Sequence, residues 1–289
     1  MNSPRYVHLR LHSEYSVTDG IVRIGDAVKR AAGDGMPAMA VTDLGNLFGL
    51  VKFYTGARGK GVKPVAGADV WIANPEAPED AYRLLLLARN RTGYQQLCEL
   101  LTKAYLVEGR RDRAEIRREW FSEIGSDGLI ALSGAHLGDV GEALLNGNFD
   151  LAGERAKAWE AIFPGAFYLE VQRYGQPQQE AIVQQTADLA GETGIPLVAT
   201  HPIQFLNRDD FQAHEARVCI AEGYVLGDHR RPKIYTEEQY FKTQAEMAEL
   251  FADLPEALEN TLEIARRCNI EMTLGKNFLP DFPIPPGMT

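Results

Sequence analysis

Residues of the kind that bind metals crowd the start of the chain. In HLRLHSEYSVTDG, residues 8–20, two histidines, His8 and His12, are followed by Asp19. Imidazole nitrogens with a carboxylate make a donor set for a divalent metal. Between the histidines stands Arg10. On an extended segment residues i, i+2 and i+4 share a face, so Arg10 projects to the same side as its neighbours. A guanidinium carries five N–H donors and no acceptor and stays protonated, so it cannot ligate a cation. The stretch therefore reads as a metal site whose charge is supplied by the chain itself. Arg10 is expected to pair with Asp19, Asp43 or Asp69, because clustered carboxylates without a cation repel and one takes up a proton.

The elements that must position these residues alternate. Short apolar runs predict strands at 6–11, 37–43, 63–72, 83–89, 129–134, 167–172 and 195–200, with helices around 22–33, 46–59, 93–106, 137–162 and 177–193. Several strands lack clean alternation, as parallel strands buried on both faces do. Such repetition predicts an α/β protein with a closed or nearly closed seven-stranded barrel; an open doubly wound sheet is the alternative. After residue 205 only helices are expected, notably 210–223 and 254–268, the latter with Pro255 in its first turn. The final NFLPDFPIPPGMT holds four prolines and reads as an extended linker over 276–289, leaving 1–275 as one domain.

In a β/α barrel, chemistry gathers where strands end. Those ends supply His12 and Asp19, then Asp43 and Leu44, Asp69, Ala135 and His136, Tyr174, and finally His201, Pro202 and Gln204. His12 and Asp19 read better as a hydrogen-bonded polar plug than as a metal pair. His201 reads as a loop histidine, and His214 and His229 as surface residues.

Bulk properties narrow the classes. No apolar run approaches the roughly 20 residues that span a bilayer, and MNSPRYVHLR lacks the features of a signal peptide. Cys98, Cys219 and Cys268 follow no motif spacing, which fits a reducing cytoplasm. A net charge of −10 argues against a strong grip on nucleic acid. The exception is local: residues 108–120 hold five arginines among four acids, read as a solvated helix laced with ion pairs.

The runs HLRLHSEYSVTDG, AVTDLGNLFGLVKFY, KPVAGADVWI, ARNRTGYQQLCELLTKAY and LPEALENTLEIARRCN together resemble the polymerase-and-histidinol-phosphatase (PHP) domains that begin bacterial replicative DNA polymerase III alpha subunits. The resemblance runs nearly end to end and implies a distorted seven-stranded β/α barrel. Metal-binding members of that family carry nine ligands at the barrel mouth, and this sequence departs from most. The first histidine of the strand-one pair is Arg10, while His12 and Asp19 match. The histidine after the strand-two aspartate is Leu44, the strand-three glutamate is Asp69, and the strand-five cysteine or histidine is Ala135. The strand-six histidine is Tyr174, and the aspartate and histidine after strand seven are Pro202 and Gln204.

The resemblance thus implies a domain with no metal and no catalytic residue of its own, supporting the palm and thumb of the same polypeptide and docking a separate proofreading exonuclease subunit. The arginine-rich 110–118 and apolar Tyr105 and Leu106 are candidate contacts. Polymerisation, with its magnesium, would belong to a palm outside this sequence. The alternative is a residual metal-dependent phosphoesterase or exonuclease in which His136 or His201 restores coordination.

Overall fold

Aliphatic and β-branched runs become the strands of a single sheet in the computed structural model, which describes residues 6–106, 113–277 and 279. The strands are β1 (Ala38–Val41), β2 (Lys63–Ile72), β3 (Tyr82–Ala88), β4 (Glu115–Ile116), β5 (Leu129–Leu132), β6 (Phe167–Gln172) and β7 (Leu197–Thr200). They lie in the order β1-β2-β3-β5-β6-β7, with the short β4 pairing on β2. β1 with β2, β5 with β6 and β6 with β7 are parallel. β3 runs antiparallel to both its neighbours. The parallel pairing expected of several strands thus holds, and β3 is the exception for a simple reason: residues 73–81 form no helix between β2 and β3, and only a crossover of a dozen or more residues returns a strand in parallel.

The sheet curls, and the extended segment 6–12 spans the space between its outer strands. Ala40 N–H donates to His8 O (2.8 Å) and Thr42 N–H to Leu11 O (3.0 Å) on the β1 side; His12 N–H donates to Ile203 O (3.0 Å) beyond β7. The predicted strand at 6–11 is thus an extended seam with one ladder bridge, Leu11 to Ile203. Leu84, Leu85, Leu86 and Leu87 of β3, with all of β5 and β6, are buried, as continuous apolar runs in a sheet covered on both faces should be.

Around the sheet lie α1 (Ile24–Gly33), α2 (Leu50–Gly59), α3 (Arg91–Leu106), α4 (Trp120–Ile124), α5 (Asp139–Leu145), α6 (Phe149–Ile162), α7 (Gln179–Thr193), α8 (Phe211–Glu222), α9 (Gln244–Leu250) and α10 (Pro255–Arg267). The helix predicted over 137–162 is two, separated where Gly147 turns with φ 71° and the Asn148 side chain accepts the Leu151 N–H. Two short elements, α4 and α9, have too few residues to show a period and escape a pattern reading. α9 is fixed by a capping box, in which Thr243 accepts from Glu246 N–H and Glu246 from Thr243 N–H. Between α8 and α9 the chain is irregular rather than helical, with turns and one isolated bridge, from Tyr240 back to Phe205 before α8. Of the arginine-rich segment, residues 107–112 lie outside the described residues; 115–116 is strand β4 and not helix. Nearly all of the proline-rich 276–289 also lies outside them.

Candidate functional site

The mouth of the curled sheet, where β1, β2, β6 and β7 end, is a cavity of about 580 Å³. Arg10, His12, Asp19, Leu44, Asp69, Tyr174, Pro202 and Gln204 all line it, together with His136. Asp43, Ala135 and His201 do not.

Arg10 is 4% exposed and reaches across the barrel. Its Nε and Nη2 donate to Glu170 Oε1 and Oε2, both at 2.9 Å, a bidentate fork. Its Nη1 donates to Asp69 Oδ2. Of the three carboxylates expected as partners, only Asp69 is one; the second is Glu170, from the middle of β6. Glu170 is further held by Gly134 N–H (3.0 Å), Gln172 Nε2 (3.1 Å) and the Thr200 hydroxyl. Gly134 suits this place: its φ is 80°, and a Cβ there would meet Arg83 O at 2.2 Å.

Asp69 collects the remaining charge. Arg83, stacked over Trp71 at 4.4 Å, donates Nε to Asp69 Oδ1 (3.1 Å) and Nη2 to Oδ2. His12 joins with Nε2 to Asp69 Oδ2 (3.1 Å) and Nδ1 to Asp19 Oδ2 (2.8 Å). Burial alone would push the His12 pKa down, but the two carboxylates outweigh it and raise it to about 9. Both ring nitrogens then donate. Against their own desolvation, Asp69 is held well below the usual carboxylate range, first by Arg10 and then by Arg83, and Asp19 is lowered by His12. Three cations (Arg10, Arg83, His12) thus face three carboxylates (Asp69, Glu170, Asp19) in one buried network.

The other predicted positions divide. Asp43 stays apart from Arg10, accepting from Ser13 N–H (2.6 Å) and Ser13 Oγ (2.9 Å), and burial pushes its carboxyl up to about 6. Leu44 donates its N–H to Ser16 Oγ (2.8 Å), tying two mouth loops. Gln204 Nε2 lies 3.5 Å from Asp19 Oδ2, and Tyr174 Oη lies 3.1 Å from His136 Nε2. Ala135 is buried in left-handed backbone, φ 50°. His201 lies in the loop after β7, as expected, but is fully buried there, its Nε2 on Tyr240 O at 3.0 Å, and away from the mouth. His8 also leaves the mouth, donating Nε2–H to Lys242 O at 2.7 Å. His214, expected on the surface, is fully buried, because α8 packs against the 13–20 loop and its Nε2 meets Asp19 O at 2.8 Å. His229 is exposed, as expected.

The donor set at the mouth does not fit a divalent metal. Asp69 accepts from two guanidiniums and an imidazole, the protonated His12 has no lone pair to give, and Arg10 has none at all. Among the described residues no group of three or more His, Cys, Asp or Glu is arranged to hold a metal ion.

A curled α/β sheet with its mouth lined from strand ends and the 13–20 loop defines the class, and comparison with known proteins agrees. The sequence profile of the PHP domain matches residues 8–174, and the chain belongs to the PHP domain family. It is 54% identical over 291 aligned positions to DNA polymerase III subunit alpha of Neisseria meningitidis (serogroup A), an alignment covering 100% of this chain and 25% of that protein. To the Escherichia coli K12 subunit alpha it is 46% identical over 283 positions, covering 98% of the chain and 24% of the relative. The chain therefore spans about a quarter of the length of the curated relatives it matches. Among solved structures, an amidohydrolase from Chromobacterium violaceum with bound sulfate aligns with a TM-score of 0.48 at 15% identity, over 73% of this chain and 96% of that one. The resemblance drawn from the sequence runs is borne out. Among the described residues, no helix is long and apolar enough to cross a membrane.

Proposed function

We propose that this chain is a catalytically silent PHP module of a replicative DNA polymerase, acting in the cytoplasm. The parent polypeptide would extend DNA from deoxynucleoside triphosphates with magnesium held in a palm elsewhere in it. The module supports that palm and the thumb, and docks the proofreading exonuclease subunit. Homology to polymerase III alpha supports the assignment to the replicative enzyme. The observation that carries the silence is Arg10, whose guanidinium joins Asp69 to Glu170 across the mouth.

The test is elemental analysis of the untagged chain after incubation with excess zinc and manganese and desalting. Less than one ion per chain, with no chelator-sensitive hydrolysis of bis-p-nitrophenyl phosphate, is the expected result. Two tightly held ions would overturn the reading. Docking is tested separately, by the affinity of the purified exonuclease subunit for this chain; no measurable binding would remove that part alone.

A second reading, a residual metal-dependent phosphoesterase or exonuclease, draws on one observation. Asp19 Oδ1 is buried without a partner beside the mouth cavity, which His136 also lines. It requires activity abolished by chelators and by His136→Ala.

A further inference from the structure

The pole opposite the mouth, where β1 and β2 begin, carries a group of cations that the proposed function does not use. The last turn of α10 and the chain leaving it cross this pole over residues 265–272. Lys63 Nζ donates to Ala265 O (2.8 Å), Asn269 N–H to Arg89 O (2.6 Å), and Met272 N–H to Tyr54 Oη (3.2 Å). Arg58 Nη1 donates to the same Tyr54 Oη at 2.7 Å. Arg267 donates to Tyr168 Oη (2.7 Å) and Gly165 O (2.8 Å), and Arg89 to Asp127 O (3.2 Å). Lys63, Arg267 and Arg89 are near enough to act on the Cys268 thiol, opposing the upward push of its burial.

Every acceptor in that series is a carbonyl or phenol oxygen, which orients a cation without neutralising it. At the mouth the guanidiniums of Arg10 and Arg83 sit on carboxylates, and near α9 Arg173 is forked onto Glu180 and Asp253. Arg58, Lys63, Arg89 and Arg267 thus gather at one pole and form no ion pair with a described residue. Two of the four, Arg58 and Lys63, line a pocket of about 380 Å³ together with Tyr54, Asn269, Ile270 and Glu271. The acids nearby are Glu271 on its wall and Asp127, whose carboxylate accepts from Gln96 Nε2.

We propose that this pocket is a phosphate site, in which Arg58 and Lys63 take the phosphoryl oxygens of a nucleotide-sized ligand and Arg89 and Arg267 add to the field. Lys63 uses one of its three N–H donors on Ala265, and Arg58 one of its five on Tyr54, so both keep donors for an anion. The volume falls within the range of pockets that take small organic ligands. Apolar Ile270, also on the lining, offers a wall for the organic part.

Calorimetric titration of the chain at low salt with pyrophosphate and with dATP tests this. Saturable one-to-one binding is expected, weakening as NaCl is added. Arg58→Gln/Lys63→Gln should weaken it by ~10-fold or more, as the loss of two charge-assisted contacts requires. Arg58 is exposed, so Arg58→Gln alone keeps the fold and should weaken binding several-fold if the pair does not fold. Lys233→Gln, at the mouth cavity, should change nothing. Equal affinities for the two probes support recognition of the phosphoryl group itself; tighter dATP supports a seated nucleotide. No saturable binding of either up to about 10 mM, or binding lost in Lys233→Gln and kept in Arg58→Gln, overturns the proposal.

Discussion

His8 and His12 stand on one extended segment and are electrical opposites. Both are buried. His8 packs against Tyr6 and Phe241, with ring centroids 4.9 and 4.6 Å away, and donates to a carbonyl. Desolvation dominates there and brings its pKa down to about 4. His12 suffers the same desolvation but touches Asp19 and Asp69, and rises to about 9. Burial by itself neutralises a histidine; a buried carboxylate reverses the outcome. The His12 end of the seam therefore belongs to the paired charge of the mouth, while at its His8 end desolvation keeps the imidazole neutral, less than one strand length away.

The largest test of that contrast is Arg10→Ala, which leaves Asp69 and Glu170 short of their shared counter-charge. A loss of about 3–5 kcal/mol of folding stability is expected by denaturant titration. Arg10→Lys should recover only part, since an ammonium cannot reproduce the fork on Glu170 while reaching Asp69. An Arg10→Ala chain as stable as the parent would break the comparison.

Next comes alkaline pH. Because the folded pKa of His12 lies above its ordinary 6.5, its contribution is fully present below about 6.5 and lost as pH rises through about 9, amounting to a few kcal/mol. His12→Gln should flatten the fall in denaturation midpoint over that window. A parent midpoint that holds constant to pH 10 (about one unit past the transition) would show His12 to be neutral.

On the acid side the sign reverses. The folded pKa of His8 lies below 6.5, so the unfolded chain binds more protons and stability falls as pH drops from about 6.5 to about 4. His201, fully buried beside it and lowered well below the usual histidine range by its own desolvation, adds in the same direction. Asp43, pushed up to about 6, titrates in this window with the opposite sign. The His8→Phe difference isolates one term: it should cost about 1 kcal/mol near neutrality for the lost bond to Lys242 O and reduce the acid slope. An unchanged slope would remove His8 from the account.

The smallest expected effect sharpens the comparison at its edge. Lys242 O and Tyr240 O, the acceptors for His8 and His201, immediately precede the Thr243 cap of α9. Thr243→Ala should cost about 1 kcal/mol. Faster hydrogen exchange confined to α9 and the seam, with the mouth unchanged, is the expected pattern; exchange rising equally at both would merge the two regions into one.

Much of this was legible in the residues. β2 and β6 lie within their predicted bounds because each is a long apolar run between clear punctuation. Arg10 was visible as a cation where a ligand belongs, and Asp69 as one of its partners. Glu170 was present as a signal but unread: a lone carboxylate inside FYLEVQ, a strand buried throughout, must have a buried counter-charge. Arg83 was hidden by topology. Reading strand ends assumes every strand points the same way, but β3 is reversed, so its beginning faces the mouth. The burial of His214 had no local signal, since it depends on a loop some two hundred residues away in sequence.

Arg10 also differs from a bound ion in how it is supplied. An ion must be acquired from the surroundings, and a site built on one is hostage to scarcity, chelation and exchange for a competing metal. A guanidinium is installed with the polypeptide and cannot dissociate. Arg10 ties the seam segment to β2 and β6 in one side chain, a join made once with the chain and kept as long as the chain is folded.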